Sequence, residues 1–155
     1  MNAIASALCL LMISCTTLHE SEDGGFLGGT SDSLKPRPNS RQSQGRRIQN
    51  RAVASLISKS KQHLESGRLD QAVSSLERAY GIDYQDPEVS LMMAKALFAK
   101  GNEAQAEQWA LRSVNLWGPS DSHRRRESWE LISRCRIRRG DYSGANEAIK
   151  KAQEI

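Results

Sequence analysis

The side chains that could do acid–base, nucleophilic or metal chemistry are few in this 155-residue chain, and they are scattered. His19, His63 and His123 are its only histidines, and none lies one helical turn from a second ligand type in an HExxH-like arrangement. No CxxC pair exists to hold zinc or to cycle between thiol and disulfide. Glycines 24, 25, 28 and 29 cluster, but no strand precedes them to make a phosphate-binding loop, and no serine sits in a nucleophile elbow. These patterns point away from an enzyme and from any metal or cofactor.

Cysteine is the residue with the clearest chemical role, at one position only. Residues 1–14, MNAIASALCLLMIS, carry no charged side chain and run into Cys15. The run is too short for a bilayer, which takes about 20 apolar residues, but has the length of a signal-peptide core. Met12-Ile13-Ser14-Cys15 resembles a bacterial lipoprotein box, in which a small residue precedes the cysteine that is lipidated. That resemblance implies lipidation at Cys15. With Thr16 rather than aspartate next, it implies an outer-membrane lipoprotein facing the periplasm. A cleaved signal releasing a soluble secreted or periplasmic protein is the alternative, as is a misplaced start. If Cys9 leaves with the signal and Cys15 carries lipid, Cys135 stands alone and forms no intramolecular disulfide.

Positive charge is the other candidate. The net charge is +4, and seven arginines fall between Arg124 and Arg139 with Trp129 among them. Such a segment could contact phosphates, so a cytoplasmic nucleic-acid binder is the alternative reading. Trp129 shares a helix face with Ile132, however, which favours a core position over base stacking. An exported domain also has little nucleic acid to meet, and none is expected as a partner.

What must position these residues is a repeat. GRLDQAVSSLERA from Gly67 returns as GNEAQAEQWALRS from Gly101 and as GDYSGANEAIKKA from Gly140. The first two glycines are 34 residues apart and the second and third 39. Each glycine has a small residue seven places before it (Ser60, Ala94, Ser133), five places after it (Ala72, Ala106, Ala145) and twelve places after it (Ala79, Ser113, Ala152). Small residues let two backbones approach, and glycine permits the positive φ of a tight turn. Each unit therefore reads as a helix A, a turn and a helix B, with Leu64, Leu76, Tyr80 and Ile82 filling the first seam.

A 34-residue period with these columns resembles the tetratricopeptide repeat. The resemblance implies an all-α, right-handed superhelical stack of three helix-turn-helix units over about 53–86, 87–120 and 126–155. It departs from the family pattern at Lys59, His63 and Arg136. It also implies a non-enzymatic adaptor that binds a protein of the cell envelope in a concave groove lined by helix A. The columns six and three places before the glycines would line that groove: Lys61, Lys95 and Arg134 as a basic stripe for an acidic partner, and Leu64, Phe98 and Ile137 as its apolar contacts.

Ahead of the expected 51–155 domain, residues 15–50 are rich in Ser, Gly, Pro, Gln and Arg and lack periodicity, so a disordered tether is expected. A tether of this length spans about 30–35 Å and would keep the domain near its membrane. Helices are expected over Ala52–Ser66, Leu69–Ile82, from Pro87, over Glu103–Leu116, from a cap at Asp121 or Ser122, and from Ser143 onward. The fifth would contain Trp129, Ile132, Cys135 and Ile137, with Cys135 a packed thiol. On the last helix, Ala145, Ile149, Ala152 and Ile155 form a face that a homodimer or a partner helix would cover.

Overall fold

A computed structural model describes residues 40–155. The described residues form six α-helices and no strand: α1 (Ser40–Glu65), α2 (Leu69–Ile82), α3 (Pro87–Ala99), α4 (Glu103–Leu116), α5 (Ser122–Arg138) and α6 (Tyr142–Gln153). Each helix packs on the next in the chain, and the first helices of the pairs also meet, α1 with α3 and α3 with α5. The architecture is the expected all-α stack of helix pairs.

The three repeat glycines make the same turn. Gly67, Gly101 and Gly140 have φ of 69°, 82° and 79°. After α1, the Arg68 N–H donates to the His63 carbonyl and the Gly67 N–H to Leu64. The same two bonds recur from Asn102 to Leu97 and Gly101 to Phe98, and from Asp141 to Arg136 and Gly140 to Ile137. This is the Schellman arrangement, which satisfies carbonyls that a helix end leaves without partners. Proline opens α3 at a position where its missing N–H has no helical partner, and the Asp86 side chain accepts from the Val89 N–H. Asp141 caps α6 in the same way, accepting from the Gly144 N–H at 2.8 Å. Asp121 occupies the cap position of α5, but its side chain makes no capping bond there.

Between the helices lie the small-residue columns. Ser60, Ala72, Ala79, Ala94, Ala106, Ser113, Ser133, Ala145 and Ala152 are all buried. Larger side chains, led by Leu76, Leu91, Leu131 and Ile132, fill the space to either side. Each of these contributes about 2 kcal/mol by leaving water. Helix α3 is central and buried almost all round, at every position from Val89 to Ala94 and again at Ala96 and Leu97.

Two expectations need correction. Residues 40–50, expected in the tether, are the opening turns of α1. They showed no apolar periodicity because they carry no buried face: every side chain from 43 to 51 is exposed. Arg and Gln are good helix formers, and extending a helix is easier than starting one. Ile82 is exposed rather than in the seam, being the last residue of α2. Ile137, expected as a groove contact, is 44% exposed, because it lies two residues beyond buried Cys135 and so on the other side of α5. The expected signal segment, Cys15 and the tether to residue 39 lie outside the described residues.

Because Gly101 holds a left-handed conformation with open space around it, strain rather than collision limits substitution there. Gly101→Ala should cost about 1 kcal/mol. Gly81→Ala, at a helical glycine with φ < 0 and equally open surroundings, should be neutral or slightly stabilising. Thermal melts of the two variants check the contrast.

Candidate protein-binding surface

The face shared by α1, α3 and α5 carries a chain of ion pairs. Lys61 Nζ of α1 lies 3.1 Å from Glu88 Oε1 of α3. The other Glu88 oxygen is 3.6 Å from Arg124 Nη1 of α5. Arg124 Nη1 is also 3.1 Å from Glu127 Oε2, and Glu127 Oε1 is 2.5 Å from Lys95 Nζ of α3. Five side chains thus tie the three helices together through alternating charge. Burial opposes the ionisation of Glu127, but Lys95 and then Arg124 outweigh it and hold the carboxyl below its ordinary value.

The expected stripe of three bare cations is therefore divided. Lys61 and Lys95 each meet a carboxylate of the next pair's first helix, whereas Arg134 meets none among the described residues. Its guanidinium lies over the Phe98 ring at 5.4 Å instead. Arg138 covers the same ring at 3.9 Å and donates to the Phe98 carbonyl at 3.1 Å. Phe98 is half-buried beneath two guanidiniums, a cation–π arrangement. Leu64 is half-buried as well, and Ile137, in the same column, is exposed.

Most of the arginine-rich segment is engaged within the fold. Arg136 Nε donates to Glu107 Oε1 at 2.7 Å, and Arg139 Nη1 to Glu107 Oε2 at 2.6 Å. Arg136 also donates to the Gly144 carbonyl, so it joins α4, α5 and α6. Arg126 donates to the Ala152 carbonyl, and Arg138 reaches Glu103. Trp129 packs half-buried against the core, with the Lys151 ammonium over its ring. These arginines hold helices together and are not presented as a row for phosphates.

A family model described as tetratricopeptide repeat matches residues 63–123. Among solved structures, the globular C-terminal domain of P. aeruginosa LpoP superposes with a TM-score of 0.62 at 36% sequence identity. The match covers 65% of this chain and 94% of that one. The chain belongs to the tetratricopeptide repeat family. No curated protein matches it.

Within the tetratricopeptide repeats, one departure from the family pattern has a partner that sequence spacing could not reveal. Arg136 replaces an apolar residue, and its charge is met by Glu107, 29 residues earlier. His63, in the same column, is half-buried with Nδ1 unpartnered. Burial, aided by Arg68 and Lys59, lowers its pKa. On the second helices, Tyr80 and Trp109 meet edge to face at 5.1 Å, and Arg112 stands over Tyr80 while donating to the Tyr84 carbonyl. No sequence signal beyond the aromatic residue types marked that cluster. Cys135 is fully buried, and burial, then the nearby Glu107 charge, pushes its pKa up to about 11. At neutral pH it is a packed thiol.

The last helix differs from expectation. Ala145 and Ala152 are buried inside the fold with Ala148, on the side of α6 that meets α5. Positions 145, 148 and 152 follow the helical period, which turns all three inward. They are not available to a partner. Ile149 is 39% and Tyr142 67% exposed, while Ile155 is partly covered near Trp129 and Lys151.

Two predictions follow from the charge pairs. Glu107→Gln leaves Arg136 without its charge partner in a largely buried setting, and should cost about 2 kcal/mol. Chemical denaturation measures it. For Glu127, a folded pKa below the unfolded value means stability present above the ordinary carboxylate range and lost as pH falls through the lowered value. Glu127→Gln should therefore melt below the native protein at pH 7, and the difference should shrink as pH falls below the ordinary carboxylate range.

Proposed function

We propose that this chain is a non-enzymatic interaction adaptor that binds a protein of the cell envelope through the face formed by α1, α3 and α5. The observation that carries this reading is Phe98, held half-buried under Arg134 and Arg138 beside the Lys61–Glu88–Arg124–Glu127–Lys95 chain. An aromatic residue flanked by guanidiniums on a face pinned by ion pairs is a preorganised contact for an apolar side chain with a carboxylate near it. The resemblance of Met12–Cys15 to a lipoprotein box supports lipid attachment at Cys15, in an outer-membrane protein facing the periplasm. The likeness to the LpoP domain supports an interaction role for the folded part.

The test pairs capture with fractionation. Tagged full chain, recovered from detergent-solubilised membranes, should bring down a defined partner, and recovery should fall with rising salt because exposed charges are screened beyond about 8 Å. Ile137→Asp, at an exposed position on this face, should lower recovery about tenfold or more. Cys15→Ser should move the protein from the membrane to the soluble fraction. Unchanged recovery with Ile137→Asp would overturn the face, and unchanged fractionation with Cys15→Ser would overturn the anchor.

A further inference from the structure

The repeat columns allow each position to be compared with its equivalents, and two columns change state at the last repeat. Nine places after the repeat glycines stand Leu76, Ala110 and Ile149. Leu76 and Ala110 are fully buried, each on a second helix that packs against the first helix of the following pair. Ile149 is 39% exposed, and Tyr142, two turns earlier on the same side of α6, is 67% exposed. Among the described residues no helix follows to cover them.

The second column is electrostatic and lies on different helices. Lys61 reaches forward to Glu88, and Lys95 reaches forward to Glu127. Both carboxylates occupy the same place, thirteen residues before the glycine of the next repeat. Arg134 is the third member of the basic column and meets no carboxylate among the described residues. It rests on Phe98. An apolar position left uncovered and a cation left without its forward partner mark the same missing neighbour: a further first helix.

The chemistry of that neighbour is legible in the helices that fill the equivalent places. Glu88 directly precedes the buried Val89, Met92, Met93 and Ala96. Glu127 directly precedes the buried Ser128, Leu131, Ile132 and Cys135. We propose that Tyr142 and Ile149 of α6, together with Arg134 of α5, dock an amphipathic helix of a partner protein whose inward face opens with a carboxylate. A second copy of this chain does not fit the place. Its α1 has Ala54 where α3 and α5 have glutamate, and it would bring the exposed Arg46, Arg47 and Arg51 toward a basic end. The surface shares Arg134 with the α1–α3–α5 face and extends beyond it to the outer side of α6, where Tyr142 and Ile149 are exposed.

The test uses the full chain in detergent and a synthetic peptide with the sequence Pro87–Ala99 between Gly-Ser flanks, together with the same peptide carrying lysine in place of Glu88. Fluorescence anisotropy should show the glutamate peptide binding and the lysine peptide binding about tenfold or more weakly. Arg134→Glu should reverse that order. Ile149→Asp and, as a milder second variant, Tyr142→Ser should weaken the glutamate peptide, whereas Ile137→Asp should not. All four positions are exposed, so helix content by circular dichroism should be unchanged. Equal binding of the two peptides, no binding of either, or affinity untouched by Ile149→Asp and Tyr142→Ser would overturn the proposal. So would self-association of the full chain in sedimentation that Ile149→Asp abolishes, because the occupant would then be a second copy.

Discussion

Close approach of helix backbones is the constraint on which the rest of this structure depends. It is met by side chains that are nearly absent: alanine and serine in the columns flanking each turn, all buried. Where one is serine, the hydroxyl is satisfied locally. Ser60 donates to the Ile57 carbonyl, and Ser128 bonds both the Arg124 carbonyl and the Ser113 hydroxyl. Packing this tight admits no extra methylene without displacing a helix. The left-handed glycines serve the same end, reversing the chain in a few residues so that the second helix of each pair returns directly against the first.

On that frame, charge does what apolar packing does elsewhere. The fifth helix is poor in large apolar residues, and Glu107 compensates by accepting from both Arg136 and Arg139. A carboxylate this buried is tolerated only because each oxygen has a cationic donor. The chain from Lys61 to Lys95 performs a similar task on the opposite helices, more exposed and correspondingly weaker. The outcome matters for recognition. Within the segment from Arg124 to Arg139, bonds inside the fold engage most of the arginines, so a stretch that looks like a polycation presents few free charges. Among the described residues, Arg125 and Arg134 are the two of the seven whose side chains have no carboxylate or carbonyl partner, and Arg134 lies over an aromatic ring.

Stacking also explains why the ends of the molecule differ from its middle. Each repeat completes its neighbour, covering apolar side chains of the second helix and supplying a carboxylate to the first. α3 has neighbours on both sides and is buried nearly all round. α1 begins with turns whose side chains from 43 to 51 are exposed, and α6 keeps Tyr142 and Ile149 exposed. Side chains of the same type thus have different roles according to place in the array, which is where an interaction protein differs from a merely stable one.

The sequence by itself determined the period, the six helices, the turns and the inward columns. All of these are local: a glycine at fixed offsets from small residues, a proline after aspartate, apolar residues every three or four places. It placed α2 and α4 to the residue, because caps and turns marked both ends. It misplaced the start of α1, because helix without packing leaves no apolar pattern to read. Tertiary structure alone decided which charges are free. Glu107 and Arg136 stand 29 residues apart, and Lys95 and Glu127 32 apart, so no periodicity within one helix joins them. Three basic residues in one column looked alike in sequence, and only a carboxylate on the following first helix made Lys61 and Lys95 structural, whereas Arg134 meets none among the described residues. Burial was decided in the same way: Leu76 and Ile149 share a column, but a side chain leaves water only when a neighbour arrives to cover it.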